Sequence, residues 1–245
     1  MIRKLFSASH PREGGHSGQR NYEIQRIETF SDGVFAFAVT LLIVSLEVPK
    51  SFEELATTMR GFFAFGISFM LLFMIWNEQH RFFRSYGLDD ALTMALNGTL
   101  LFIVLFYVYP LKFLFTLLFS EQIYGPHNSP FKINQHQVPA LMMIYALGFM
   151  AIYTLFFLMY VHANRKSIKL GLTPIEIFDC KSSMYRLLIM VIVGSASFLV
   201  AMMLKDAYAG YAGIVYFLIS PAIWILFTFR GKIKRKLFPH AFPVK

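Results

Sequence analysis

The chain is 245 residues long, 56% hydrophobic and 15% charged, with a mean hydropathy of +0.54 and 28 phenylalanines. That much apolar surface cannot be hidden in one aqueous core, which excludes a soluble domain and leaves an integral membrane protein. A net charge of +9 would suit nucleic acid, but its placement along the chain accounts for it better; the single cysteine, Cys180, excludes an internal disulfide and makes no zinc site alone.

The apolar runs are continuous and not alternating, so the fold class is all-α, with helices crossing the bilayer and no barrel. Residues 1–25 read as a flexible cytoplasmic leader, with Gly14, Gly15, Ser17 and Gly18 and no apolar core of a signal peptide. A six-span transmembrane domain follows over 26–230, with spans expected at 30–48, 55–76, 91–119, 140–161, 187–204 and 211–229. Each is about 18 to 29 residues, against roughly 20 needed to cross the hydrocarbon core. The third holds Pro110 and Lys112, which predicts a kink there and a lysine reaching for the interface. The loop 120–137 carries Pro126, His127 and Pro130 and reads as irregular, while 164–185 reads as a connection with a short surface helix from Pro174. Residues 231–245 form a basic tail. Nothing in the second half repeats the first helix, so the chain is one unit of six spans.

Lysine and arginine set the orientation. Arg3, Lys4, Arg12, Arg20, Arg26, Arg81 and Arg84 fall on one side, with Arg165, Lys166, Lys169, Lys181 and Arg186 between the fourth and fifth spans. The tail adds Arg230, Lys232, Lys234, Arg235, Lys236 and Lys245, making 18 of the 23 basic residues. Both termini are therefore expected in the cytoplasm, and the tail is expected to grip anionic lipid headgroups and not nucleic acid.

The first span carries the most information. It runs Arg26-Ile27-Glu28-Thr29-Phe30-Ser31-Asp32-Gly33 and then Val34-Phe35-Ala36-Phe37-Ala38-Val39-Thr40-Leu41-Leu42-Ile43-Val44. An aspartate at the start of a spanning helix is costly in hydrocarbon and needs a partner or a task. On a helical wheel Gly33, Phe37, Leu41, Val44 and Val48 lie within about 40° of one line, Thr40 at about 60°, and Asp32 at about 140°. The stripe reads equally as a packing seam. Asp32 reads as a helix cap or as a buried carboxylate facing its own subunit, and His80 as an interfacial histidine or as its partner.

The order Arg-x-x-x-Phe-Ser-Asp-Gly, followed by Phe-Ala-x-Ala-x-Thr-Leu-Leu, resembles the first helix of the TMEM175 family of potassium channels. Trp76-Asn77-Glu78-Gln79-His80 resembles the family's Trp-x-x-x-His at the end of the second span. The resemblance is strongest over 26–47, recognisable at 76–80 and topological beyond. It implies a homotetramer around one ion path, with Phe37, Leu41 and Val44 as the hydrophobic constriction and Thr40 in the preference for potassium. Phenylalanine at 37 departs from the aliphatic residue expected there. The resemblance further implies that Arg26, Ser31, Asp32, Trp76, His80 and Asn97 form a polar network holding the first helix. Thr40 also has the reading of a hydroxyl bonded to the carbonyl one turn back. The implied function is potassium-favouring conduction with potassium as permeant ion, no cofactor and no catalysis, in a bacterial plasma membrane.

There is no Thr-Val-Gly-Tyr-Gly filter, and the fourth span carries no basic residue, so the pore loop and voltage sensor of classical potassium channels are absent. The seven histidines make no His-x-x-x-His pair, and His127 with His136 is a weak metal candidate. A secondary transporter or a proton-leak pathway remains the alternative. Its hints are Gly148 and the run Gly194-Ser195-Ala196-Ser197, which equally serve close helix packing.

Overall fold

A computed structural model describes residues 26–44, 49–125 and 134–239. The leader, residues 45–48 with Val48, the loop residues 126–133 with His127, and residues 240–245 lie outside the described residues. The described chain is helical, with no strand among its residues.

Helix α1 spans Arg26–Val44, α2 Phe52–Tyr86 and α3 Ala91–Leu118, with a short α4 at Ser120–Tyr124. After a 3₁₀ turn at Gln135–Gln137 come α5, Val138–Arg165, and α6, Pro174–Met203. A 3₁₀ segment, Asp206–Leu218, leads into α7, Ile219–Leu237. Among the described residues five helices are long and apolar enough to cross a membrane: Phe52–Tyr86, Ala91–Leu118, Gln135–Arg165, Pro174–Met203 and Tyr208–Leu237. α1 is not among them, because Arg26, Glu28 and Asp32 crowd its first two turns and its described length stops at Val44.

The helices run further than their apolar stretches. α2 begins where Ser51 caps it, accepting from the Glu54 amide, and continues ten residues past Trp76 until Gly87 takes a left-handed φ of 54°. The short surface helix expected at Pro174 is instead the first turn of α6, which runs unbroken to Met203. Thr173 and Glu176 close a capping box there, and Pro174 occupies the first turn, where its missing N–H costs nothing. Arg186 therefore sits on a spanning helix and not in a loop. α7 passes position 230 without a break and reaches Leu237, so the first part of the tail is helical.

Packing divides the chain into α1–α3 and α5–α7, joined mainly where α3 lies on α5. Phe35, Ala38 and Leu42 of α1 enter a core shared with Leu100 and Val104 of α3 and Phe156 of α5. Two tyrosines pin the seam between the halves: Tyr107 donates to the Tyr145 carbonyl at 2.9 Å, and Tyr145 donates to the Pro110 carbonyl at 2.8 Å. Gly148 makes this seam possible, since a Cβ there would lie 2.2 Å from the Tyr107 ring. A Cβ on Gly194 would similarly meet Met150 at 2.8 Å. Both glycines therefore serve helix contact, and α6 is not broken at the Gly194–Ser197 run.

α3 continues through Pro110 from Ala91 to Leu118. Lys112 does not simply stretch to an interface: its Nζ donates to the Leu42 carbonyl at 2.9 Å, meeting an acceptor in the last turn of α1. In the 3₁₀ segment, buried Ala209 and Ala212 stand three residues apart on one stripe, the spacing that three residues per turn aligns. Ser197 of α6 donates to the Ala212 carbonyl at 2.9 Å.

Candidate functional site

α1 is a helix with two faces. Glu28, Ser31, Phe35, Ala38 and Leu42 recur at three- and four-residue intervals and are buried against α2 and α3. Opposite them Gly33, Phe37 and Thr40 are exposed, Phe37 by 56%. Nothing lies within 4 Å of where a Cβ of Gly33 would be, so the chain itself leaves this stripe uncovered. Leu41 stands at its margin, half-buried and packed against the chain's own core. Val44 closes the described helix, and its side chain lies outside the described residues.

Thr40 Oγ1 donates to the Phe37 carbonyl at 2.7 Å. The hydroxyl's one donor is thus used within the helix, while the oxygen of this exposed residue keeps its acceptor capacity. The two readings of Thr40 are therefore compatible: bonding one turn back consumes the donor and spares the acceptor.

The N-terminal half of α1 is held by polar side chains. Trp76 Nε1 donates to Asp32 Oδ1 at 2.7 Å. Asn97 Nδ2 donates to Ser31 Oγ at 2.9 Å, Ser31 Oγ donates to the Ile27 carbonyl at 2.7 Å, and Gln79 Nε2 donates to Asn97 Oδ1 at 3.1 Å. His80 Nδ1 approaches Glu28 Oε1 to 3.3 Å, within ion-pair distance but without hydrogen-bond alignment, so that buried nitrogen has no aligned partner. The Trp76 ring stacks on His80 with centroids 5.3 Å apart.

Of the residues named from the sequence, Ser31, Asp32, Trp76, His80 and Asn97 are thus brought together at one end of the bundle. Arg26 is exposed and makes no hydrogen bond or ion pair to a described residue. Gln79, from the stretch expected to hold the partners of Asp32, and Glu28, which the sequence reading does not single out, also belong to the cluster, and spacing points to both. Glu28 shares the face of Ser31 three residues on, and Gln79 follows Trp76 by three.

Further polar links lie at the same end. Arg186 Nη2 donates to Glu78 Oε1 at 2.7 Å. Asp90 accepts from Thr93 at 2.8 Å, His162 at 2.9 Å and Lys166 at 3.1 Å. Arg230 donates to Ser182 and to the Phe178 carbonyl and lies 3.9 Å over the Phe178 ring, while Lys234 pairs with Asp179 at 2.7 Å. Two tail cations are therefore engaged by α6. At the opposite end His136 contacts Asp206, and no group of three metal-ligating side chains forms among the described residues.

Residues 26–107, which contain the whole α1 clamp, match the family described as the endosomal/lysosomal potassium channel TMEM175. A potassium channel of Marivirga tractuosa is 39% identical over 231 residues, covering 89% of this chain and 92% of that one. The chain belongs to the TMEM175 potassium-channel family. The likeness is not confined to 26–47 and 76–80 but runs through nearly the whole length. The crystal structure of a variant of the potassium channel MtTMEM175, in complex with a nanobody fusion, superposes with a TM-score of 0.77 at 37% identity, covering 89% of this chain and 97% of that one. A TMEM175 homologue from Chamaesiphon minutus, described as a lysosomal potassium-selective channel homologue, matches at a TM-score of 0.54 and 23% identity over 81% of this chain and 96% of that one, a likeness of fold. As a member of a channel family, this TMEM175 chain is an all-α integral membrane protein and not an enzyme.

Proposed function

We propose that this chain forms a homotetrameric, potassium-favouring cation channel whose path is walled by the open face of α1. The observation that carries the reading is that α1 is clamped on one face only. Its buried side is fixed by Phe35, Ala38, Leu42 and the polar cluster, while Gly33, Phe37 and Thr40 are left for something outside the chain. Closed symmetry supplies that something, since copies around one axis bring these faces together. Phe37 then forms the narrowest ring, with Leu41 offering its outer edge and Val44 the next turn. A ring of apolar groups gates by dewetting, because an ion stripped of water finds no replacement ligands there. Thr40, which keeps its acceptor capacity on the open face, tunes the preference for potassium. Potassium is the permeant ion, and the relatives' description as potassium channels supports that choice.

Arg26, free of described partners and on the open side of α1, completes the polar network from a neighbouring copy, where Asp32 keeps one carboxylate oxygen beyond the Trp76 bond. Both termini face the cytoplasm of a bacterial plasma membrane. The exposed cations Arg165, Lys169, Lys181, Lys232, Arg235 and Lys236 meet anionic headgroups there.

Ion flux from purified protein in liposomes, potassium against sodium under opposing gradients, tests the reading. Gradient-following, potassium-favouring flux without a second ion is expected. Saturable flux locked to a co-transported ion would make the protein a transporter and return the Phe37 stripe to packing.

A further inference from the structure

A guanidinium within a membrane-crossing helix is costly to place and needs a partner once placed. Arg186 of α6 has one in Glu78 of α2, at 2.7 Å, with side chains 17% and 8% exposed. Tyr153 and Tyr160 of α5 stand close by the pair. The backbones of α2 and α6 do not come into contact, so the two side chains bridge helices that α5 keeps apart.

Glu78 also occupies a particular side of α2. Trp76, Gln79 and His80, which hold α1 and α3, fall within an arc of about 100°, and Glu78 stands about 150° from its middle. α2 is therefore gripped by directional bonds on two opposite sides. Its buried apolar stripe, Ala64, Leu72, Ile75, Phe82 and Phe83, sets its rotation only coarsely, because apolar contact has no preferred direction and Phe69, Phe73 and Met74 elsewhere around the helix are exposed; the directional bonds set the angle more finely. A turn of α2 about its own axis would draw Trp76 from Asp32 and His80 from Glu28. The Glu78–Arg186 bond opposes that turn.

We infer that Glu78 and Arg186 are positioning residues for ion selection: the pair fixes the rotation of α2, and through Trp76 and His80 the angle at which α1 presents Phe37 and Thr40. The inference rests on the channel reading above. It is tested by the potassium-to-sodium flux ratio in liposomes, normalised to assembled complex, for the wild type, Glu78→Gln, Glu78→Asp and the exchange Glu78→Arg with Arg186→Glu.

The single variants are expected to lower the ratio about fivefold, within the range that residues outside a site exert on it. The exchange is expected to recover at least half of the loss. A pair of purely structural value would change yield and melting temperature but leave the ratio of the assembled complex at the wild-type value, and that result overturns the inference. Where Glu78→Gln does not assemble, Glu78→Asp decides, because it keeps the charge and withdraws the carboxylate by one methylene; an unaltered ratio there overturns the inference too. Failure of every variant to assemble, the exchange included, also overturns it in favour of a structural role. A wild type without potassium flux refutes the channel reading itself, which separates the two failures.

Discussion

Trp76 donates its indole N–H to Asp32 at 2.7 Å while the same ring stacks on His80, one helical turn further along α2. One side chain thus ties the carboxylate of the first helix to the histidine that faces Glu28. Replacing Trp76 with phenylalanine keeps an aromatic ring and removes the donor. A hydrogen bond to a charged group contributes about 1.5–3 kcal/mol, and the exposure of Asp32 places this one near the lower end. The expected result is a lowered melting temperature of the purified complex. Asp32→Asn, which keeps the bond but removes the charge, should weaken assembly or gating more than ion preference; an altered preference at normal assembly would contradict the placement of Asp32 away from the ion path.

Thr40 is exposed and bonds only its own helix among the described residues, so Thr40→Ala should leave stability within about 0.5 kcal/mol of the wild type. The change removes an acceptor oxygen from the open face of α1. Reduced potassium preference over sodium at unchanged yield is therefore expected in liposome flux. An unchanged preference would return Thr40 to a purely local role.

Phe37 has little to lose in its own chain, being 56% exposed. Phe37→Ala should widen the narrowest ring and raise basal leak, without the loss of several kcal/mol that truncating a buried phenylalanine brings. Equal conductance in wild type and variant would remove Phe37 from the constriction.

Much of this arrangement was legible in the chain because the decisive signals are local. The charged first turns of α1, the Phe-Ser-Asp step and the Trp-x-x-x-His spacing sit on single helices, where a period of 3.6 fixes who shares a face. What escaped reading depends on helices far apart in sequence. Arg186 counts as a loop cation until Pro174 is seen to open a continuous helix, and its partner Glu78 lies 108 positions away. Lys112 meets the Leu42 carbonyl, and Arg230 lies over Phe178, through contacts that no periodicity records. Apolar runs mark where hydrocarbon ends, not where a helix ends, and so α2 and α7 overran their expected limits.

Asp90 offers a prediction in pH. It precedes α3 and ties the α2–α3 turn to the end of α5 through Thr93, Lys166 and His162. Burial pushes its carboxyl up, but the bonds from these three residues outweigh burial and hold it well below the usual carboxylate range. A carboxyl depressed in the folded state adds stability that is fully present above its unfolded value of about 4, and that is lost as pH falls through the folded value. Wild type should therefore exceed Asp90→Asn by about 1–3 kcal/mol at pH near 7, the cost of leaving charged donors unmet. The gap should narrow progressively as the pH is lowered below about 4. Melting temperatures of both proteins in the same detergent, from neutral pH to about pH 3, provide the comparison. A gap that stays constant across that range would show that Asp90 contributes through shape alone and not through its charge.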